Sequence, residues 1–135
     1  MSALTDKSEI NRDAAQRLYN IQFYCSTVHC AYYSCIQFMM HIILYELGYT
    51  ESTLATAISN DQRTGSHEFY INLITKHLIA KNTNRDDRKL FSEEIVNLKR
   101  LRTKADYNDE IIGESQGRYS LTKATDIYKI LRKVI

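Results

Sequence analysis

The stretch that most constrains this chain is CSTVHCAYYSCIQFMMHIILYELG, from Cys25 to Gly48. It has no Pro, and no Gly before its last residue, and it is long enough for about six helical turns. On a helical projection Val28, Ala31, Tyr32, Cys35, Ile36, Phe38, Met39, Met40, Ile42, Ile43, Leu44 and Leu47 cover nearly the whole circumference. A helix that is apolar almost all round is buried on most sides, so this stretch predicts the central helix of a bundle. Ser26 or Thr27 is placed to cap its start, and Gly48 to supply a left-handed stop. One stripe interrupts the pattern: Cys30, Ser34, Gln37 and His41 recur at helical spacing, with His29 and Tyr33 beside them. A polar stripe inside a bundle needs water, a cavity, a ligand or hydrogen-bonded core partners. Gln37, His41 and Tyr33 are therefore candidates to line a cleft. His41 is the histidine to watch for acid–base work, its other role being a hydrogen-bonded core or interface residue. A membrane span would need about 20 predominantly apolar residues. Gln37, His41 and Glu46 break the run and no Lys or Arg flanks it, so no membrane association is expected.

Other segments arrange themselves around that helix. With 135 residues, no Pro and four Gly, the chain has room for one core and little turn punctuation for an all-β fold. Asp6 or Ser8 can cap a first helix running to about Gln22, whose inward face is marked by Ile10, Ala14, Arg17 or Leu18, and Ile21. Residues 49–64 are polar and weakly patterned and read as the longest connection, with at most one helical turn at Leu54, Ala57 and Ile58. Ser66 opens a third helix with Phe69, Tyr70, Leu73, Ile74, His77 and Leu78 inward. Asp86 or Asp87 opens a fourth, with Phe91, Ile95, Leu98, Leu101 and Ala105 inward. Residues 112–119, with Gly113 and Gly117, read as a loop, after which Ser120 caps a last amphipathic helix. The expectation is an all-α protein, a single helical domain over residues 1–135: an up-and-down four-helix bundle with an additional short C-terminal helix.

Charge and cysteine narrow the function classes. The net charge is only +2, so no global field demands nucleic acid. It is unevenly spread: Met1 to Glu68 holds four Lys/Arg against seven Asp/Glu, and Phe69 onward fourteen against nine. The mildly basic second half permits a polyanion partner. Cys25, Cys30 and Cys35 are odd in number and five apart on one helix, which is poor disulfide geometry. The N-terminus is polar, without a signal segment. Reduced thiols in a cytoplasmic protein are expected. Cys25 and His29 lack a second ligand pair, so no metal and no cofactor is expected. Hydrolase and nucleotide-loop signatures such as GxSxG, a P-loop or HExxH are absent.

The most informative local feature is LKRLRTKADYND, Leu98 to Asp109. Lys99, Arg100, Thr103 and Lys104 project outward, but Arg102 falls on the apolar side with Ile95, Leu98 and Ala105. An Arg there must be paired or line a cleft, because an unpaired buried charge is costly. Asp106, one turn on, can accept from it. Two readings stand: a structural ion pair that secures packing, or an anion-binding arginine held by its acid.

Together, HCAYYSCIQFMMHIIL, a following helix opened by GSHEFY, and LKRLRTKADY resemble the HEPN (higher eukaryotes and prokaryotes nucleotide-binding) domain over residues 14–131. The nearest branch is the small prokaryotic proteins with an AYY element in the second helix, here Ala31-Tyr32-Tyr33, and an LRxxADY element in the fourth, here Leu101 to Tyr107. The resemblance implies a four- or five-helix bundle, a homodimer with a cleft near its two-fold axis, and RNA or a nucleotide as ligand. It also implies either a metal-independent ribonuclease or toxin, or the non-catalytic partner of a nucleotidyltransferase in a toxin–antitoxin-type pair. Catalytic members follow their Arg with a His about four to six residues on, for acid–base cleavage through the 2′-hydroxyl. Arg102 matches the Arg, but no His follows it. The expectation is thus a HEPN-like binding protein without its own catalysis, with Arg102, Asp106, Tyr107, Tyr33, His41 and Gln37 around its site. The alternatives are an endoribonuclease that pairs Arg102 with His41 or His67, and a purely structural interaction module.

Overall fold

The computed structural model describes residues 2–61 and 64–135. Six helices follow one another: α1 (Ala3–Asn20), α2 (Tyr24–Tyr45), α3 (Glu51–Asn60), α4 (Ser66–Ala80), α5 (Arg85–Tyr107) and α6 (Glu114–Arg132). There is no strand among the described residues. The all-α bundle expected from periodicity is what forms, and α2 is its axis, packed against α1, α4, α5 and α6. Val28, Tyr32, Met39, Ile42 and Ile43 of α2 are wholly buried, and Ile74, Leu78, Phe91, Ile95, Leu98, Ile127 and Leu131 close on them from α4, α5 and α6. At about 25 cal/mol per Å² of apolar surface removed from water, this contiguous cluster is the main stabilising element, and it is why α2 can afford so little polar surface.

Several boundaries differ from those read in the sequence, each for a local reason. α1 begins at Ser2 rather than at Asp6 or Ser8. Ser2 Oγ accepts from Thr5 N–H (3.2 Å) while Thr5 Oγ1 accepts from Ser2 N–H (3.0 Å), a reciprocal cap closed by two hydroxyl side chains. The start of α2 is uncapped by Ser26 or Thr27. Its N-cap is Phe23, reached through Gln22 in the left-handed region at φ 66°. Gly48 does take the left-handed conformation at φ 79°, just beyond the end of α2. Part of the supposed connection is helical: the same hydroxyl device at Thr50 and Thr53 nucleates the ten-residue α3, of which only Leu54 is buried. Gln62 and Arg63 of that connection lie outside the described residues. α4 is capped by Gly65, with Ser66 as its first helical residue.

The largest correction is at the C-terminal end. Residues 114–119 are not a loop, and Ser120 is no cap. The cap of α6 lies seven residues earlier, at Gly113, where Gln116 Oε1 accepts from the Gly113 N–H (2.9 Å). The additional short helix is thus α3, while the C-terminal helix has 19 residues. Gly117 sits inside α6 because the helix crosses closely there: an added Cβ would lie 3.0 Å from Tyr24 Cδ1 and 3.3 Å from Tyr19 Cδ1. Ser120 is buried and its Oγ donates back to the Gly117 carbonyl (2.7 Å), a local bond that satisfies the hydroxyl inside the core.

Candidate functional site

The polar stripe of α2 divides in two. Its C-terminal part faces α1. Ser8 Oγ donates to the Ser34 carbonyl (2.6 Å), Asn11 Nδ2 donates to Gln37 Oε1 (2.7 Å), and Ser2 Oγ hydrogen-bonds His41 Nδ1 (2.7 Å). Burial holds the His41 imidazole below its ordinary pKa, which keeps it neutral in this contact. Gln37 and His41 therefore join two helices. His41 lies eight residues from Tyr33, about 12 Å along the helix axis, and the structure does not bring it to Arg102.

The N-terminal part of the stripe faces α4 and α5, and here the chemistry collects. Arg102 is buried, at 9% exposure, on the inner face of α5 with Phe91, Ile95 and Leu98. Its Cζ lies 5.2 Å from the ring centroid of Tyr32, 5.6 Å from that of Tyr33 and 5.7 Å from that of Tyr107. Three aromatic faces around one guanidinium offer an attractive field in place of water, each worth about 0.5–1 kcal/mol at a partly exposed site. Arg102 Nη1 is 3.7 Å from Asp106 Oδ2, too long for a good hydrogen bond. The nearer partner of that same oxygen is His29 Nδ1, at 2.8 Å. Arg102 Nε is shut off from solvent and has no hydrogen-bond partner among the described residues. The acid expected to neutralise Arg102 is thus shared, and part of the guanidinium's donor capacity is unused.

A second imidazole completes the cluster. His67, in the first turn of α4, exchanges a hydrogen bond with the Tyr32 hydroxyl (3.0 Å between OH and Nδ1). Burial lowers its pKa, and the nearby charges of Arg102 and Lys99 lower it further, so His67 stays neutral. Burial likewise pushes the Tyr32 phenol up. The Tyr33 ring touches both imidazoles, with centroids 4.7 Å from His29 and 5.6 Å from His67. The side chain of His29 is 47% exposed and Tyr107 75% exposed, so the cluster opens to solvent on that edge. Cys30 is not its nucleophile: burial, with Asp106 adding, raises its thiol pKa, which keeps the thiol protonated. No group of three His, Cys, Asp or Glu among the described residues is arranged to hold a metal.

Of the residues singled out from the sequence, Arg102, Asp106, Tyr107 and Tyr33 come together, and Gln37 and His41 lie elsewhere. Sequence reasoning left His29 and Tyr32 out of the site. The signal for both was present: they sit one turn and one residue before Tyr33, on the face of α2 that meets α5. His67 entered only as an alternative base, because its place depends on how α4 docks. Comparison with protein-family models, with curated proteins and with solved structures finds no match.

Proposed function

We propose that this protein is a HEPN-like helical domain that binds a phosphate group of RNA or of a nucleotide at Arg102. The observation that carries the reading is the state of that arginine: ringed by tyrosines, with its nearest acid 3.7 Å from Nη1 and that acid's near partner His29. A guanidinium used only for packing is stable when an acid saturates it; one that keeps donors free inside an aromatic cage is suited to a phosphate oxygen. Tyr33 and Tyr107 supply ring faces on which a base can stack, an interaction worth about 1–3 kcal/mol per base.

One observation favours a second reading, cleavage. Metal-independent scission of RNA through its 2′-hydroxyl requires a proton acceptor and a proton donor beside a cation that steadies the phosphate. No histidine follows Arg102 in the sequence, but His67 from α4 and His29 from α2 both pack against the Tyr33 ring, which Arg102 also meets. Neutral His67 and Asp106-bonded His29 are groups of the right kind beside one ring.

A single assay separates these readings. End-labelled single-stranded RNA is incubated with the protein in chelator, and binding and cleavage are followed together for the native chain, Arg102→Ala and His67→Ala. Binding without cleavage, weakened in Arg102→Ala, is the expected result. Cleavage lost in both variants would establish the second reading. Absence of both binding and cleavage, for RNA and for mononucleotides, would overturn the site.

A further inference from the structure

A second charged cleft lies where α1 meets α6, away from the Arg102 cluster. It encloses about 230 Å³ and is framed by Thr5, Asp6, Glu9, Arg12, Tyr128 and Arg132, with Phe38 at its base. The Arg12 guanidinium lies over the Tyr128 ring, with Cζ 3.6 Å from the centroid, and Arg132 Cζ is 5.9 Å from the same centroid. Two guanidinium groups therefore share one aromatic ring. Arg12 Nε is inaccessible to solvent and has no hydrogen-bond partner among the described residues. Elsewhere Arg17 and Arg118 each pair with an acid one turn away. Among the described residues neither Arg12 nor Arg132 forms an ion pair, and the side chains of Asp6 and Glu9 form none either.

Asp6, Glu9 and Arg132 are exposed, where pairing gains little, so these charges stay available to a ligand. Here the Tyr128 ring holds Arg12 in a fixed stack, and Glu9, only three residues away on α1, stays out of ion-pair range. The cleft thus keeps two cations and two carboxylates apart. A plain anion would satisfy the guanidiniums but be repelled by Asp6 and Glu9, and a plain cation the reverse. A molecule carrying both signs satisfies both. The volume is below the roughly 300–1,000 Å³ of sites for drug-sized ligands, which suits a ligand of a few heavy atoms. We propose that the α1–α6 cleft binds a free α-amino acid, its carboxylate on Arg12 and Arg132 and its ammonium group on Asp6 or Glu9.

The test is titration of the full chain with alanine, glutamate and lysine, each beside its N-acetylated and its C-amidated form. Arginine Nε–H and Tyr128 ring resonances are followed by NMR. The expected result is saturable shifts of the Arg12 signal with at least one free amino acid, and binding weaker by about ten- to a hundredfold for both blocked forms, the range for losing a hydrogen bond to a charged group. Arg132 is exposed, so Arg132→Gln leaves the fold intact by circular dichroism and should weaken binding by a similar factor. No saturable shift with any of the three amino acids would overturn the proposal. So would equal binding of the N-acetylated form, which would make the cleft a simple anion site, or unchanged affinity in Arg132→Gln.

Discussion

Replacing Arg102 with methionine distinguishes an arginine kept for binding from one kept for packing. Removing one partner of a buried ion pair ordinarily destabilises by about 3–5 kcal/mol, because the other charge is stranded. Here Asp106 would not be stranded: its Oδ2 keeps His29 at 2.8 Å and its side chain is 19% exposed. Methionine retains the aliphatic volume and removes a buried Nε that has no partner, a gain of about 1–3 kcal/mol. Against this stands the loss of three ring contacts at 5.2, 5.6 and 5.7 Å, about 0.5–1 kcal/mol each. The two terms cancel to within about 2 kcal/mol, so Tm should move by less than about 7 °C for a chain of this size. Anion or RNA binding should be lost. Thermal melts followed by circular dichroism, beside a binding titration, provide the measurement. A Tm lower by about 10 °C or more would match a 3–5 kcal/mol structural pair, and the argument for a binding arginine would fail.

Three further outcomes follow from the packing and the titration behaviour. Phe91 is wholly buried, and Phe91→Ala should lower unfolding stability by about 3–5 kcal/mol in urea titrations. Gly117→Val places branched methyls against the Tyr19 and Tyr24 rings, which an ideal Cβ already meets at 3.3 and 3.0 Å; a loss of about 1–3 kcal/mol is expected, in place of the gain that removing a helical glycine normally brings. His67 has a folded-state pKa below its ordinary 6.5, so the unfolded chain binds a proton that the folded chain resists. Its contribution to stability is complete above about pH 6.5 and is lost as pH falls toward the folded value. Urea midpoints compared on the two sides of that pH should show the drop, and His67→Gln should reduce it, leaving the share that comes from His41, which burial depresses in the same direction.

What could be read in the sequence was whatever hydrophobic periodicity controls. The long apolar run announced α2 as the central helix, and Ile95, Leu98 and Arg102 lay on the predicted inner face of α5. Helix ends were less legible where hydroxyl pairs do the capping. Ser2–Thr5 and Thr50–Thr53 use two short side chains reciprocally, and nothing in an apolar count marks them. Gly117 misled because a glycine that admits a neighbouring helix resembles one that breaks its own. At the site, Arg102 and Asp106 were visible as neighbours one turn apart. Their partners were not, since the identity of Asp106's nearest partner is decided by how α2 lies across α5, and that of Tyr32's partner by α4. The stripe on α2 was correctly seen as polar, but a line of polar residues does not say where one docking partner ends and the next begins.

The cluster around Arg102 is drawn from three helices, with His29 and Asp106 separated by 77 positions and Tyr32 and His67 by 35. Arg102 and Asp106 are already neighbours within α5, but His29 meets Asp106 and Tyr32 meets His67 only once α2, α4 and α5 have docked. Those contacts between helices are lost when side-chain packing loosens, even where the helices, which need only local bonds, remain. A chain that keeps its helical circular dichroism while its packing loosens would no longer hold this cluster together, so helicity alone is no measure of how much of a preparation retains it.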